Sequence, residues 1–132
     1  MKAVDIYKIY MDLNEFVKAD KKLPVRIGWM VARNLKKMED IVKGIDEARD
    51  KLTQKYGERD ENGNLKFQAN GAITVETDKF MDEFTPVLTT EFDIDFDMIT
   101  LAEIEQCDSG DYDRLSAKDM SALEFMVKKD EQ

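Results

Sequence analysis

Residues 24–57, PVRIGWMVARNLKKMEDIVKGIDEARDKLTQKYG, decide how this chain folds. The apolar residues Ile27, Val31, Leu35, Met38, Ile41, Val42, Ile45, Leu52 and Tyr56 recur at steps of three and four. At 100° per residue they form one stripe, so the spacing predicts a single amphipathic helix from Val25 to Tyr56. Pro24 suits its start, where a missing N–H costs nothing, and Gly57 suits its stop. At 1.5 Å per residue the helix would run about 45–50 Å, longer than a small core is wide. It is therefore expected to pair with a neighbouring antiparallel helix, or with another subunit. Gly44 offers a bend. Arg49 interrupts the stripe and must snorkel or pair with an acid.

On the N-terminal side, residues 3–19 place Ile6, Ile9, Tyr10, Leu13, Phe16 and Val17 at helical spacing, and a polar break, DKKLP, follows. On the C-terminal side, ERDENGN (58–64) is turn material. LKFQ and AITV flank Ala69-Asn70-Gly71 as a small hairpin. Thr77 or Asp78 should cap a third helix carrying Phe80, Met81, Phe84 and Leu88, which Pro86 kinks or ends. EFDIDFDMI (91–99) alternates acid and apolar residues and reads as a strand running to about Ile104. QCDSGDYDR (106–114) is a loop, and Ser116 should cap a last helix, AKDMSALEFMVKK. No linker, second domain or convincing repeat is visible. The expectation is one α+β domain over residues 1–132, a long antiparallel helical hairpin packed with a small β-sheet and two further helices.

Composition narrows the chemistry. The 132 residues contain no histidine, which removes the usual general base near neutral pH, the usual zinc ligand and every Ser–His or Cys–His arrangement. Cys107 is the only cysteine, so no internal disulfide can form, and a reducing cytosol is the natural setting. No apolar run approaches the roughly 20 residues of a membrane span, and neither a signal peptide nor a membrane partner is expected. The net charge of −9 is unevenly placed. Residues 1–57 carry thirteen Lys/Arg against nine Asp/Glu, whereas residues 58–132 carry seven against twenty. Such polarity suggests a surface that meets partners.

Two candidate surfaces follow. As a strand, EFDIDFDMI would set Glu91, Asp93, Asp95 and Asp97 on one face, about 6.8 Å apart. That spacing is too wide to surround one Ca²⁺ ion, which wants six to eight oxygens at close range. A row of like charges is tolerated best at a sheet edge or opposite a basic surface. Arg26, Arg33 and Lys37 line one edge of the long helix and could supply that surface, from another copy of the chain. Asp60, Asn62 and Asn64 alternate as in a calcium loop, but Leu65 and Gly71 stand where that loop needs glycine and glutamate, so a plain turn is the better reading. Trp29 lies off the apolar stripe and is either covered by another element or an interface anchor. No catalytic, metal or cofactor site is expected.

KKLPVRIGWMVARNLKKMED (21–40), DEARDKLTQKYGERDENGN (46–64) and the ending LSAKDMSALEFMV (115–127) resemble a family of small proteins of unknown function from tailed bacteriophages and prophages. The resemblance covers most of the chain from about residue 20. It implies a phage origin, in the host cytoplasm or with the virion, and no established activity. The function expected is non-enzymatic: protein–protein contact in virion assembly or host interaction, with a phage or host protein or a second copy as partner. The alternative is an acidic nucleic-acid mimic that blocks a host defence or DNA-handling protein; nucleic acid itself is not an expected partner. A carboxylate–metal hydrolase ranks third.

Overall fold

The computed structural model describes residues 1–129; the expected domain, 1–132, extends three residues beyond them. The long amphipathic stripe forms the helix its spacing predicts, α2 (Val25–Tyr56), preceded by α1 (Ala3–Lys18). Ile6, Leu13 and Phe16 of α1 are buried with Ile27, Val31 and Met38 of α2. Arg49 finds its acid: its guanidinium donates to Asp46 Oδ1 at 2.9 Å and to the Tyr7 hydroxyl, which itself donates to Asp46.

Beyond α2 lies a motif more ordered than a hairpin. Three short segments, residues 57–59, 65–67 and 73–75, form one antiparallel bridge with each other in every combination: Arg59 with Leu65, Phe67 with Ile73, and Gly57 with Val75. Straight strands cannot all be mutually antiparallel, so the segments close a triangle. Its backbone bonds run in a ring, from Lys66 N to Glu58 O, Thr74 N to Lys66 O, and Glu58 N to Thr74 O. A second set follows the same threefold pattern: Asp60 N to Asn64 O, Gln68 N to Ala72 O, and Glu76 N to Tyr56 O. The partners are spaced by eight residues, and DENGNLKF (60–67) and QANGAITV (68–75) are consecutive copies of one unit. The repeat escapes a sequence reading because only Asn-Gly is identical between the copies. Both turns place glycine at positive φ, Gly63 at 81° and Gly71 at 86°, where a side chain would be strained. The Asp60 carboxylate accepts from the Asn62 and Asn64 N–H groups, so it caps the turn.

From the ring the chain returns along α2. First comes α3 (Thr77–Leu88), which begins without a side-chain cap and carries Pro86 in its last turn. Residues 91–98 follow as an extended strap and correct the expected strand. Only Ile99–Thr100 is a strand, β1; it pairs in parallel with β2, Val127–Lys128. The Thr100 hydroxyl and Glu103 carboxylate then form a capping box that starts α4 (Leu101–Glu105), ending the expected strand. The predicted Ser116 cap is present, with Asp119 completing its box, but α5 (Ala117–Leu123) is shorter than expected, giving way to a 3₁₀ turn and β2. The class is α+β: about 61% helix with a small two-stranded sheet.

The core sits at one end. Its apolar members come from α1, the first half of α2, β1, α4, the turn holding Cys107, and α5 with the turn that follows it. No residue from Asp46 to Met98 is buried. The ring, α3 and the last third of α2 therefore form an arm whose apolar side chains are only half covered.

Candidate functional site

One member of the acid row, Asp97, meets the basic helix edge, within one chain. The strap crosses the first half of α2. Asn34, fully buried on α2, holds it by a paired bond: its Nδ2 donates to Asp97 O at 2.9 Å, and Asp97 N donates to its Oδ1 at 2.8 Å. A carboxamide can do this because it offers a donor and an acceptor side by side. Nδ2 also lies 3.5 Å from the Met126 sulfur.

The cations complete the clasp. Arg33 Nε donates to the Asp97 carboxylate, and Lys37 Nζ lies 3.2 Å from the other oxygen and 2.7 Å from Asp95 O. Arg26 pairs with Glu103 at 2.8 Å and reaches Met98 O. The Arg33 bond holds the Asp97 carboxyl below the usual carboxylate range, against a desolvation effect that would raise it; Lys37 adds to the lowering. At the far end of the strap, Glu91 pairs with the Met1 amino group at 3.0 Å, Ala3 N donates to Thr90 O, and Phe92 N donates to Met1 O.

These contacts explain why an alternating sequence is not a strand here. A strand forms to satisfy its N–H and C=O groups. In this segment Asn34, Lys37, Arg26 and the Met1–Ala3 backbone satisfy several of them, while Ile94 and Phe96 pack inward, Phe96 edge-to-face with Phe125 at 4.9 Å. The four acids do not act as one face. Asp97 turns to the helix and Glu91 to Met1, whereas Asp93 and Asp95 are exposed and have no ion-pair partner among the described residues.

Sequence reasoning singled out Arg26, Arg33, Lys37 and Asp97 but missed Asn34. Its signal was a polar residue three after Val31 and four before Met38, on the core-facing line of α2. A second clasp was also missed: Lys21 Nζ lies 3.2 Å from Asp119, and Lys22 N donates to Asp113 Oδ2 at 2.7 Å, tying the 19–24 connection to the C-terminal region. Burial raises the Asp119 carboxyl's affinity for its proton, but the Ser116 N–H and hydroxyl and the Lys21 ammonium outweigh it and leave the group lowered. Cys107 is buried, and its thiol is raised by burial and by the neighbouring Asp108 charge, the opposite of what an activated nucleophile needs.

Trp29 is not covered by another element: it is 61% exposed, and Val25, one turn earlier, is 85% exposed. Both lie on the side of α2 away from Ile27, Val31 and Asn34. Among the described residues no group of three or more Cys, Asp or Glu is placed to hold a metal ion, and no helix is long and apolar enough to cross a membrane. No family model, no curated protein and no solved structure matches the chain.

Proposed function

We propose that this chain is a non-enzymatic protein-binding module whose contact face is the outward side of the first turns of α2. The phage or prophage setting, in the host cytoplasm or with the virion, is part of the same proposal and rests on the sequence resemblance alone. The observation that carries the reading is the Val25–Trp29 pair. An indole exposed on a helix pinned from behind by Ile27, Val31 and Asn34 gives apolar area at little cost in side-chain entropy, as interface anchors do. The antiparallel hairpin of α1 and α2 is the scaffold that keeps this face rigid. The basic edge is a weaker candidate, since its charges are already spent on Asp97 and Glu103. Affinity capture from an infected-host lysate, with wild type beside Trp29→Ala, tests the proposal. A protein lost from the Trp29→Ala sample, with circular dichroism unchanged, supports it; identical captured sets defeat it.

The second reading, a nucleic-acid mimic, has one supporting observation: Asp93 and Asp95 point into solvent without a cation partner among the described residues. Charge reversal at these two residues should then abolish binding to a partner that DNA displaces.

A further inference from the structure

We infer that the groove between α2 and α3 docks an amphipathic helix with basic flanks, supplied by a partner protein. The inference rests on the reading of the chain as a protein-binding module, but it uses a different surface from Trp29.

Ile41, Gly44, Ala48 and Leu52 follow one another at steps of three and four along α2; Ile41 and Gly44 line one depression with Val87 and Phe92, Ala48 and Leu52 line a second with Pro86 and Val87, and Val87 belongs to both. The stretch from residue 41 to residue 52 is about three helical turns, or roughly 16 Å. It exceeds the roughly 10 Å over which a docked helix places apolar anchors at i, i+3 or i+4, and i+7. The groove is not filled from within: α3 has no buried residue, although Phe80, Phe84, Val87 and Leu88 give it a clear apolar side.

Gly44 keeps the α2 wall low. Glycine inside a helix costs stability relative to alanine, and it is usually tolerated where another backbone comes close. Here a Cβ built on Gly44 would meet nothing within 4 Å. A helix approaching the Gly44–Ala48 wall would use the space, since interaxial distance is set by the side chains at the contact.

Charge selects the occupant. Asp40 and Asp82 stand at the groove margins with no ion-pair partner among the described residues. Glu83 adds a third carboxylate, already shared with Lys55 at 3.0 Å, and Lys51 is the one cation lining the groove among the described residues. The balance is acidic, so the fitting helix carries Lys or Arg beside its apolar stripe.

The test titrates the labelled full chain with two synthetic amphipathic peptides that share a leucine stripe, one flanked by lysine and one by glutamate. The lysine peptide should bind on the order of ten-fold more tightly at low salt. Gly44→Leu, which fills the wall and favours the helix, should abolish binding while circular dichroism is retained. Gly44→Ala should weaken binding and raise the melting temperature. Equal binding of both peptides, no binding of either, or full binding by Gly44→Leu overturns the inference. So does sedimentation showing a homodimer that Gly44→Leu dissociates, because the occupant is then a second copy. Trp29→Ala should leave peptide binding intact. If it abolishes lysate capture while neither peptide binds, the general reading stands and the groove assignment falls.

Discussion

Replacing Asn34 with alanine is the sharpest test of how the strap is held. The change removes both bonds to the Asp97 backbone, at 2.8 and 2.9 Å, and leaves an N–H and a C=O without partners in a partly buried place. Each orphaned group costs about 1–3 kcal/mol when water cannot reach it, and less when it can. Part exposure puts the pair near the low end, and the small void left by the carboxamide adds to it. A total of about 2–4 kcal/mol follows. For a domain of this size, 1 kcal/mol moves the melting temperature by about 3–5 °C, so the expected loss is about 6–20 °C. Thermal melts by circular dichroism measure it, and urea midpoints with an unchanged slope would show that stability, not the extent of unfolding, has altered. Asn34→Leu keeps the volume and should also destabilise, because the two Asp97 groups stay orphaned. If Asn34→Ala melts within about 3 °C of wild type, the strap is held by its apolar residues and not by the Asn34 bonds.

Asp97 and Asp119 both have lowered carboxyl pKa values, so their contribution is present above the unfolded carboxylate pKa, near 4, and is lost as pH falls through the lower folded values. Asp97→Asn should therefore flatten the fall in stability below about pH 4, as read from urea midpoints in a pH series. Two glycines should respond with opposite signs. A Cβ on Gly57 would lie 2.5 Å from Leu65 Cδ2 and 2.5 Å from the Thr53 carbonyl oxygen, so Gly57→Ala should lower the melting temperature. A Cβ on Gly28 would meet nothing within 4 Å, so Gly28→Ala should stabilise the chain by about 0.5–1 kcal/mol. Asp93→Asn and Asp95→Asn, in the same melts, should stay within about 2 °C of wild type, because neither carboxylate has an ion-pair partner among the described residues.

Helical content was largely legible from the residues. The period of 3.6 in residues 25–56 is a local property repeated over nine turns, and the helix it specifies runs from Val25 to Tyr56 as expected. Helix starts were legible only in part: Ser116 caps its helix as expected, with Asp119 three residues on, whereas neither Thr77 nor Asp78 caps α3, and the equally local Thr100–Glu103 box lies inside the expected strand. The eight-residue ring was half legible, since Asn-Gly announces each turn but nothing local says that the third segment closes back on the first.

What the sequence alone determined is therefore whatever depends on neighbours a few positions apart: α1, α2 and α3, the turns, the missing imidazole chemistry and the division of charge. Only the tertiary structure decided the fate of EFDIDFDMI. Its alternation fits a strand or a strap equally well, and the choice rests on whether its backbone groups find partners in another strand or in side chains sixty residues away. Asn34, Arg33 and Lys37 supply those partners, and in doing so they turn Asp97 inward and leave Asp93 and Asp95 facing water. Hydrogen-bond satisfaction is a property of the folded assembly, and a window of nine residues does not contain it.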